Sequence, residues 1–584
     1  MTDRVRDLGD LVIPPFDRHF FDGQQRFTKI GTGYIGGKAH GLASMREVLG
    51  QFSERVKSTG ITVEIPTLTV IASGHFEHFL ELNDLFEVAH SEEPDYRIAH
   101  AFQRTELPSD LVGDLRALIA QVHTPLAVRS SSYLEDAMFQ PFASVYATKM
   151  IPNNQADIDT RFRCLVEAVK FVYASTFFRA AKNYIAASDH TIDDERMAVV
   201  IQEIVGGRYE DRFYPQISGV VRSYNYYTFG RATAEDGVVE LALGLGRAIV
   251  EDGMGWSYSP ACPAVPPPFN SVSDLLKHTQ TEFWAVKMGP PPPYDPIHDT
   301  EYLGKFDLRT AEHDGTLGFL ASTYDPANDA IRVGIESRGP RALNFAPILE
   351  YNQIPLNEVI QGLKHVCEDT LGTPVEIELA ISLDNERGVP ARLGFLQVRP
   401  MVVSAEEIAV GDQEFGSADL LLSSEQVMGN GHQTEIRDII YVKPDAFSPL
   451  KTWTMASQID AMNRRLVERK RPYLLIGFGR WGSSDPALGI PVDFGQISGA
   501  KVIVETTLEG VYANFSQGSH FFHNMTSFRI LYLFVTHESR QTVDWNWLAQ
   551  QELVSDTEFV RWVRTESPLE IKVDGRKGRG VIIK

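Results

Sequence analysis

The chain has 584 residues, 43% of them hydrophobic and 23% charged, with a formal net charge of −22. That length exceeds one ordinary core and predicts three or four globular domains rather than a disordered chain. The acidic balance excludes a general nucleic-acid or anionic-membrane binder, because there is no basic excess to replace counterions.

The first predicted element is a glycine-rich turn, Ile30 to Lys38, that runs into a helix with Leu42, Met45 and Leu49 at helical spacing. Ile65 to Ala72 reads as a strand and Gly74 to Leu82 as a helix. Leu126-Ala-Val is a short apolar strand that delivers Arg129 and three hydroxyls, Ser130, Ser131 and Ser132, to its end, ahead of Glu135 and Asp136. One long helix is expected over 157–187, then a continuous apolar strand from Met197 to Val205. Residues 218–229 are β-rich, and 238–250 carry Gly244-Leu-Gly-Arg247. Proline clusters at 260–268 and 290–296 bracket a surface connection, and alternating β segments fill 305–350. A helix over 356–370 precedes the strands Val375 to Ile381 and Leu393 to Pro400. The expected division is 1–110 and 111–405 as two parts of one module, 406–425 as an acidic, serine-containing linker, and 426–584 as a separate α/β domain. No internal repeat is evident.

Cys164, Cys262 and Cys367 lie far apart and lack CxxC spacing, so neither a disulfide framework nor a cysteine metal site is expected. No run approaches the roughly 18 apolar residues of a membrane span, and Met1-Thr-Asp-Arg leads into no apolar signal core. A soluble cytoplasmic protein is the expectation; oligomeric state stays open.

Guanidinium forks and hydroxyls gathered at a strand end suit a polyphosphate, since Arg makes paired, charge-assisted bonds to phosphate oxygens. An ordinary turn, with Arg129 paired to Glu135 or Asp136, is the competing account. In Glu376-Ile-Glu378 the period of two puts both carboxylates on one strand face, a hard-oxygen site for Mg²⁺ or else a solvated face. Gln397 and Arg399 share a face of the next strand in the same way. Lys38 offers an ammonium without P-loop spacing, so a loop with a helix cap is its alternative. Gln202-Glu203-Ile204-Val205 leaves a buried strand and offers backbone groups to an adenine edge, or is simply a strand end.

In this order, these segments resemble the ATP-binding module of phosphoenolpyruvate synthase and pyruvate phosphate dikinase, an ATP-grasp fold. The resemblance rests on Gly36-Gly-Lys38 with Leu42, Val128-Arg-Ser-Ser with Glu135-Asp136, and Ala198-Val199 with Gln202. It rests further on Ser218-Gly-Val220, Gly244-Leu-Gly246 and Leu396-Gln397-x-Arg399-Pro400, and spans about residues 28–403. It implies an α/β (α+β) fold, with the ATP-grasp module followed by the C-terminal domain, and implies ATP and Mg²⁺ as cofactors. Lys38 and Arg129 would hold phosphates and Glu378, with Glu376 beside it, would ligate Mg²⁺. Gln397 and Arg399 would line the phosphate end, and Gln202 to Val205 would meet adenine. Two departures stand out: Pro141-Phe-Ala-Ser144 where the family usually has Ser-Phe-Ala-Gly, and Arg247 where it usually has Glu. The stretch after residue 410 is too short for a PEP-binding barrel of about 250 residues.

In the C-terminal domain, Gly479-Arg480-Trp-Gly-Ser483-Ser484-Asp485 forms a polar loop for a phosphate or acceptor, or a structural turn. His520, after Gly518-Ser519, is a candidate phosphate-carrying nucleophile against a packed-histidine alternative, and His523 is a weaker one. The function expected is an ATP- and Mg²⁺-dependent phosphotransferase of the dikinase type acting on an unidentified acceptor. The alternative is a regulatory or assembly protein with a retained but idle ATP site.

Overall fold

The computed structural model describes residues 13–23, 25–132, 145–186, 191–192, 195–226, 228, 230–250, 255–267, 269, 271–383, 391–401, 403, 408–417, 419–483, 489–508, 525, 528–537, 539 and 542–584. Helices and strands are interspersed over several sheets, an α/β architecture.

The first lobe is built on a five-stranded sheet in the order Phe27–Ile30, Leu68–Ile71, Met197–Glu203, Leu126–Ser132, Thr148–Ile151. Its first pair is parallel and the others antiparallel. Strands well beyond residue 110 therefore complete this sheet, and the first lobe reaches to about residue 205. One face is covered by helices Asp95–Gln103, Ser109–Gln121 and Ile158–Ser175, whose Phe102, Leu115 and Leu165 are fully buried. The helix expected over 157–187 is two helices, Ile158–Ser175 and Arg179–Ala186. Between them the chain tightens into i→i+3 bonds from the Thr176, Phe177 and Phe178 amides, which turns Phe177 into the core.

The second lobe carries a six-stranded sheet in the order Trp256–Tyr258, Val238–Ala242, Ile217–Arg222, Val375–Ser382, Ala391–Pro400, Ile61–Glu64. Helix Gly36–Val56 joins the lobes. Its Ala39, Leu42, Met45, Leu49 and Phe52 form one apolar stripe in a core shared with residues of both sheets. Helix Leu356–Leu371 packs on the same core and ends on Gly372 in the left-handed conformation.

The C-terminal unit begins before residue 426: helix Asp412–Phe415 and strand Leu420–Ser424 occupy the stretch expected to be a linker, and the strand pairs with Arg579–Ile583. Its main sheet has seven strands. The central four, Leu531–Val535, Ala500–Thr506, Tyr473–Phe478 and Asp438–Val442, are parallel. All six residues of Tyr473–Phe478 are buried, as a parallel strand covered on both faces requires. Helix Thr452–Glu468 covers one face and a four-stranded sheet the other.

Candidate functional site

A cavity of about 450 Å³ lies between the two N-terminal lobes. Lys38, Arg129, Gln202, Glu203, Val205, Glu378, Gln397 and Arg399 all line it. Five segments of the chain, the outermost some 360 residues apart, thus converge on a volume in the range of small-ligand sites.

Arg129 is the half-buried residue of an otherwise buried strand. Its Nη2 donates to Glu378 Oε2 at 3.0 Å and to Gln397 Oε1 at 2.8 Å. Its Nη1 donates to the Leu396 carbonyl at 3.3 Å and to Gln202 Oε1 at 3.4 Å. Behind it stand Ser130, Ser131 and Ser132. All are buried, and Ser131 Oγ donates to the Ile35 carbonyl at 2.8 Å while accepting from the Ala39 amide at 3.1 Å. Ser130 accepts from Lys38 Nζ through both its carbonyl, at 3.1 Å, and its hydroxyl, at 3.2 Å. Ser131 therefore fastens the glycine-rich turn to the strand, and Ser130 orients the lysine. Gly36 explains the closeness: its φ is +76°, and a Cβ there would stand 1.6 Å from the Ser131 carbonyl oxygen.

The strand Val375–Ser382 does put Glu376 and Glu378 on one face, but their surroundings differ. Glu378 lines the cavity. Glu376 is 1% exposed and lies behind it, with Oε2 accepting from Arg222 Nε at 2.8 Å and Oε1 paired with Arg399. Arg222 also pairs with Glu240 Oε2 at 3.0 Å. Across the sheet Glu376 stands opposite Arg222 on one side and Arg399 on the other. Burial opposes the Arg222 charge, yet Glu240 and Glu376 outweigh it and hold the guanidinium above its ordinary pKa.

At the other end the cavity is apolar, walled by Ala127, Met150, Ile204, Leu245 and Leu303. The Glu203 and Ile204 amides are engaged by the Thr67 and Pro125 carbonyls at 2.8 and 2.9 Å. The Glu203 carboxylate is held by Arg392, Nη2 to Oε2 at 3.0 Å. Those two amides are thus spent within the first lobe, while Ile204 and Val205 bring apolar side chains to the cavity.

Arg247 and Asp299 were not named as binding residues by the sequence reading, and both line the cavity. Arg247 Nη1 donates to Asp299 Oδ2 at 2.6 Å, and its guanidinium lies 5.0 Å from the Trp284 ring centroid. Arg222 and Glu240 were missed too, although Val220 and Arg222 alternate with the same period as the carboxylates. The described lining carries four cationic side chains, Lys38, Arg129, Arg247 and Arg399, against Glu203, Asp299 and Glu378. In a chain of net charge −22 this is a local positive excess. Among the described residues no group of three or more His, Cys, Asp or Glu is arranged to hold a metal.

The C-terminal unit abuts this region. Tyr184 of the first lobe packs against Phe494 and Phe528, with ring centroids 5.7 and 5.1 Å apart. Burial pushes the Tyr184 phenol up, with the Arg399 charge opposing. Arg480 lies in the short strand Arg480–Trp481, paired with Gly489–Ile490. Glu135, Asp136, Pro141 to Ser144, Ser484, Asp485, His520 and His523 lie outside the described residues. No helix among the described residues is long and apolar enough to cross a membrane.

Comparison with curated proteins gives no match. Residues 32–266 match the family model described as pyruvate phosphate dikinase, AMP/ATP-binding domain. That span holds Lys38, Arg129 and, of the apolar wall, Ala127, Met150, Ile204 and Leu245, and its fold is ATP-grasp-like. Over residues 32–266 the chain is therefore similar to the AMP/ATP-binding domain of pyruvate phosphate dikinase.

Proposed function

We propose that the chain is an ATP- and Mg²⁺-dependent phosphotransferase of the dikinase type, acting on an acceptor yet to be identified. The observation that carries this reading is the convergence of Arg129, Glu378 and Gln397 from two lobes, with Lys38 and Arg399 lining the same cavity. Adenine fits the slot walled by Ala127, Ile204, Leu245 and Leu303, and the phosphates run toward the cations. Fixed guanidinium and ammonium groups aimed at a transferring phosphoryl group are the main catalytic resource in this chemistry. Lys38 and Arg129 bind phosphate oxygens, and Arg399 lends its charge to the same end.

The donor set suits Mg²⁺, which keeps several waters and is usually held by one or two carboxylates together with substrate phosphates. Glu378, with the Gln397 amide oxygen beside it, would hold the ion, which when bound neutralises phosphate charge. Phosphate then passes to the acceptor directly or through His520. The free cysteines fit a reducing compartment, and we assign the protein to the cytoplasm.

A second reading, a regulatory or assembly protein with an idle ATP site, draws support from Glu376, whose two oxygens are engaged by arginines. Phosphorus NMR of ATP and Mg²⁺ incubated with the protein and candidate acceptors separates the two. AMP with inorganic phosphate and a phosphorylated acceptor is expected. ADP would mean a simple kinase, and tight binding with intact ATP throughout would favour the second reading.

A further inference from the structure

We infer that Arg222 withdraws Glu376 from metal coordination, so that the nucleotide complex takes a single divalent ion, held on Glu378; this rests on the proposed Mg²⁺–ATP site. The alternating strand Val375–Ser382 offers two carboxylates on one face, a pattern that by itself suits two ions or one ion held twice. Their environments separate them. Both oxygens of Glu376 accept from guanidiniums, Oε2 from Arg222 at 2.8 Å and Oε1 from Arg399. Arg222, Glu376, Arg399 and Glu240 are 4%, 1%, 3% and 6% exposed. They alternate in sign, Glu240–Arg222–Glu376–Arg399, across four adjacent strands. A divalent ion on Glu376 would break two charge-assisted bonds and stand against two buried guanidiniums. Glu378 differs: it lines the cavity, and the Arg129 guanidinium that it accepts from reaches it from the opposite lobe. Arg222 is thus a positioning residue, acting through Glu376 on the metal count and on the pose of Arg399.

The test counts Mn²⁺ by electron paramagnetic resonance on the full chain saturated with β,γ-imido-ATP, nucleotide binding being measured separately by calorimetry. One Mn²⁺ per chain is expected. Glu378→Gln should weaken Mn²⁺ by about 10- to 100-fold, the usual effect of disturbing a ligand or its support. Glu376→Gln should leave the count at one and the affinity within about twofold, since that carboxylate is not a ligand. Folded Arg222→Gln should release Glu376 and admit a second Mn²⁺, and Arg222→Lys should restore one. Two ions in the wild type, a loss in Glu376→Gln as large as in Glu378→Gln, or folded Arg222→Gln still binding one ion would each overturn the inference. Absence of nucleotide binding in the calorimeter would instead overturn the nucleotide site itself.

Discussion

Arg129 and Glu378 stand 249 positions apart in the chain, yet one donates to the other across the cleft at 3.0 Å. The contact ties the first lobe's sheet to the second lobe's, and the side chains are 14% and 19% exposed. Removing the two partners has unequal consequences. Glu378→Gln leaves Arg129 its acceptors on Gln397, Gln202 and the Leu396 carbonyl, so a loss of only about 1 kcal/mol is expected. Arg129→Met removes every donor at once and should cost about 2–4 kcal/mol. Urea denaturation of the two variants checks this ordering.

Gly36→Ala should disable the site from behind. A Cβ at that position meets the Ser131 carbonyl at 1.6 Å, in a backbone conformation that L side chains rarely adopt. The turn must move, and Lys38 moves with it. A stability loss of about 1–3 kcal/mol is expected from the conformation alone, together with nucleotide affinity reduced at least tenfold. Thermal denaturation and a nucleotide titration on the same sample measure both effects.

Acid should loosen the same turn through His75, whose ring lies where a Cβ on Gly31 would stand, 2.5 Å away. Burial holds the His75 pKa below its ordinary 6.5, with Asp110 and Asp114 opposing. The unfolded chain therefore takes up the proton before the folded one does. The resulting stability is complete above about pH 6.5 and is lost as pH falls through the folded pKa. Melting temperature should drop between pH 7 and pH 5.5, with a shallower drop in His75→Gln. Equal slopes in the two proteins would refute the assignment.

The C-terminal unit has its own buried anchor. Asp438, 2% exposed, accepts from Arg471 Nε at 2.9 Å and Nη2 at 2.6 Å, and from Trp562 Nε1 at 2.9 Å. Asp438→Ala should cost about 3 kcal/mol and bring forward the unfolding of this unit. Calorimetry should then resolve an early transition, with nucleotide still protecting the later one.

The residues that could be read from sequence were those whose chemistry shows in local order. Gly36-Gly-Lys38, Arg129 after an apolar strand, and the alternation at Glu376, Glu378, Gln397 and Arg399 need only spacing to be noticed. What spacing cannot supply is the partner across the sheet. Glu376 and Glu378 look equivalent along the strand, and only the placement of Ile217–Arg222 beside them separates a buried ion pair from a cavity carboxylate. Ser130 and Ser131 look like phosphate donors until Ser131 is seen bonded to Ile35 and Ala39, and Ser130 to Lys38. Likewise 406–425 is polar enough to read as a linker, yet Leu420–Ser424 is a buried strand because Arg579–Ile583, far along the chain, pairs with it.

Whether the Arg129 end of the cavity grips a polyphosphate is tested most directly by calorimetric titration of wild type and Arg129→Met with Mg²⁺ and β,γ-imido-ATP, using AMP as the control. One site per chain is expected in the wild type. Loss of charge-assisted bonds should weaken the analogue about 100-fold in the variant while AMP binding changes far less. No binding of the analogue by the wild type, or equal binding by the variant, would contradict the site.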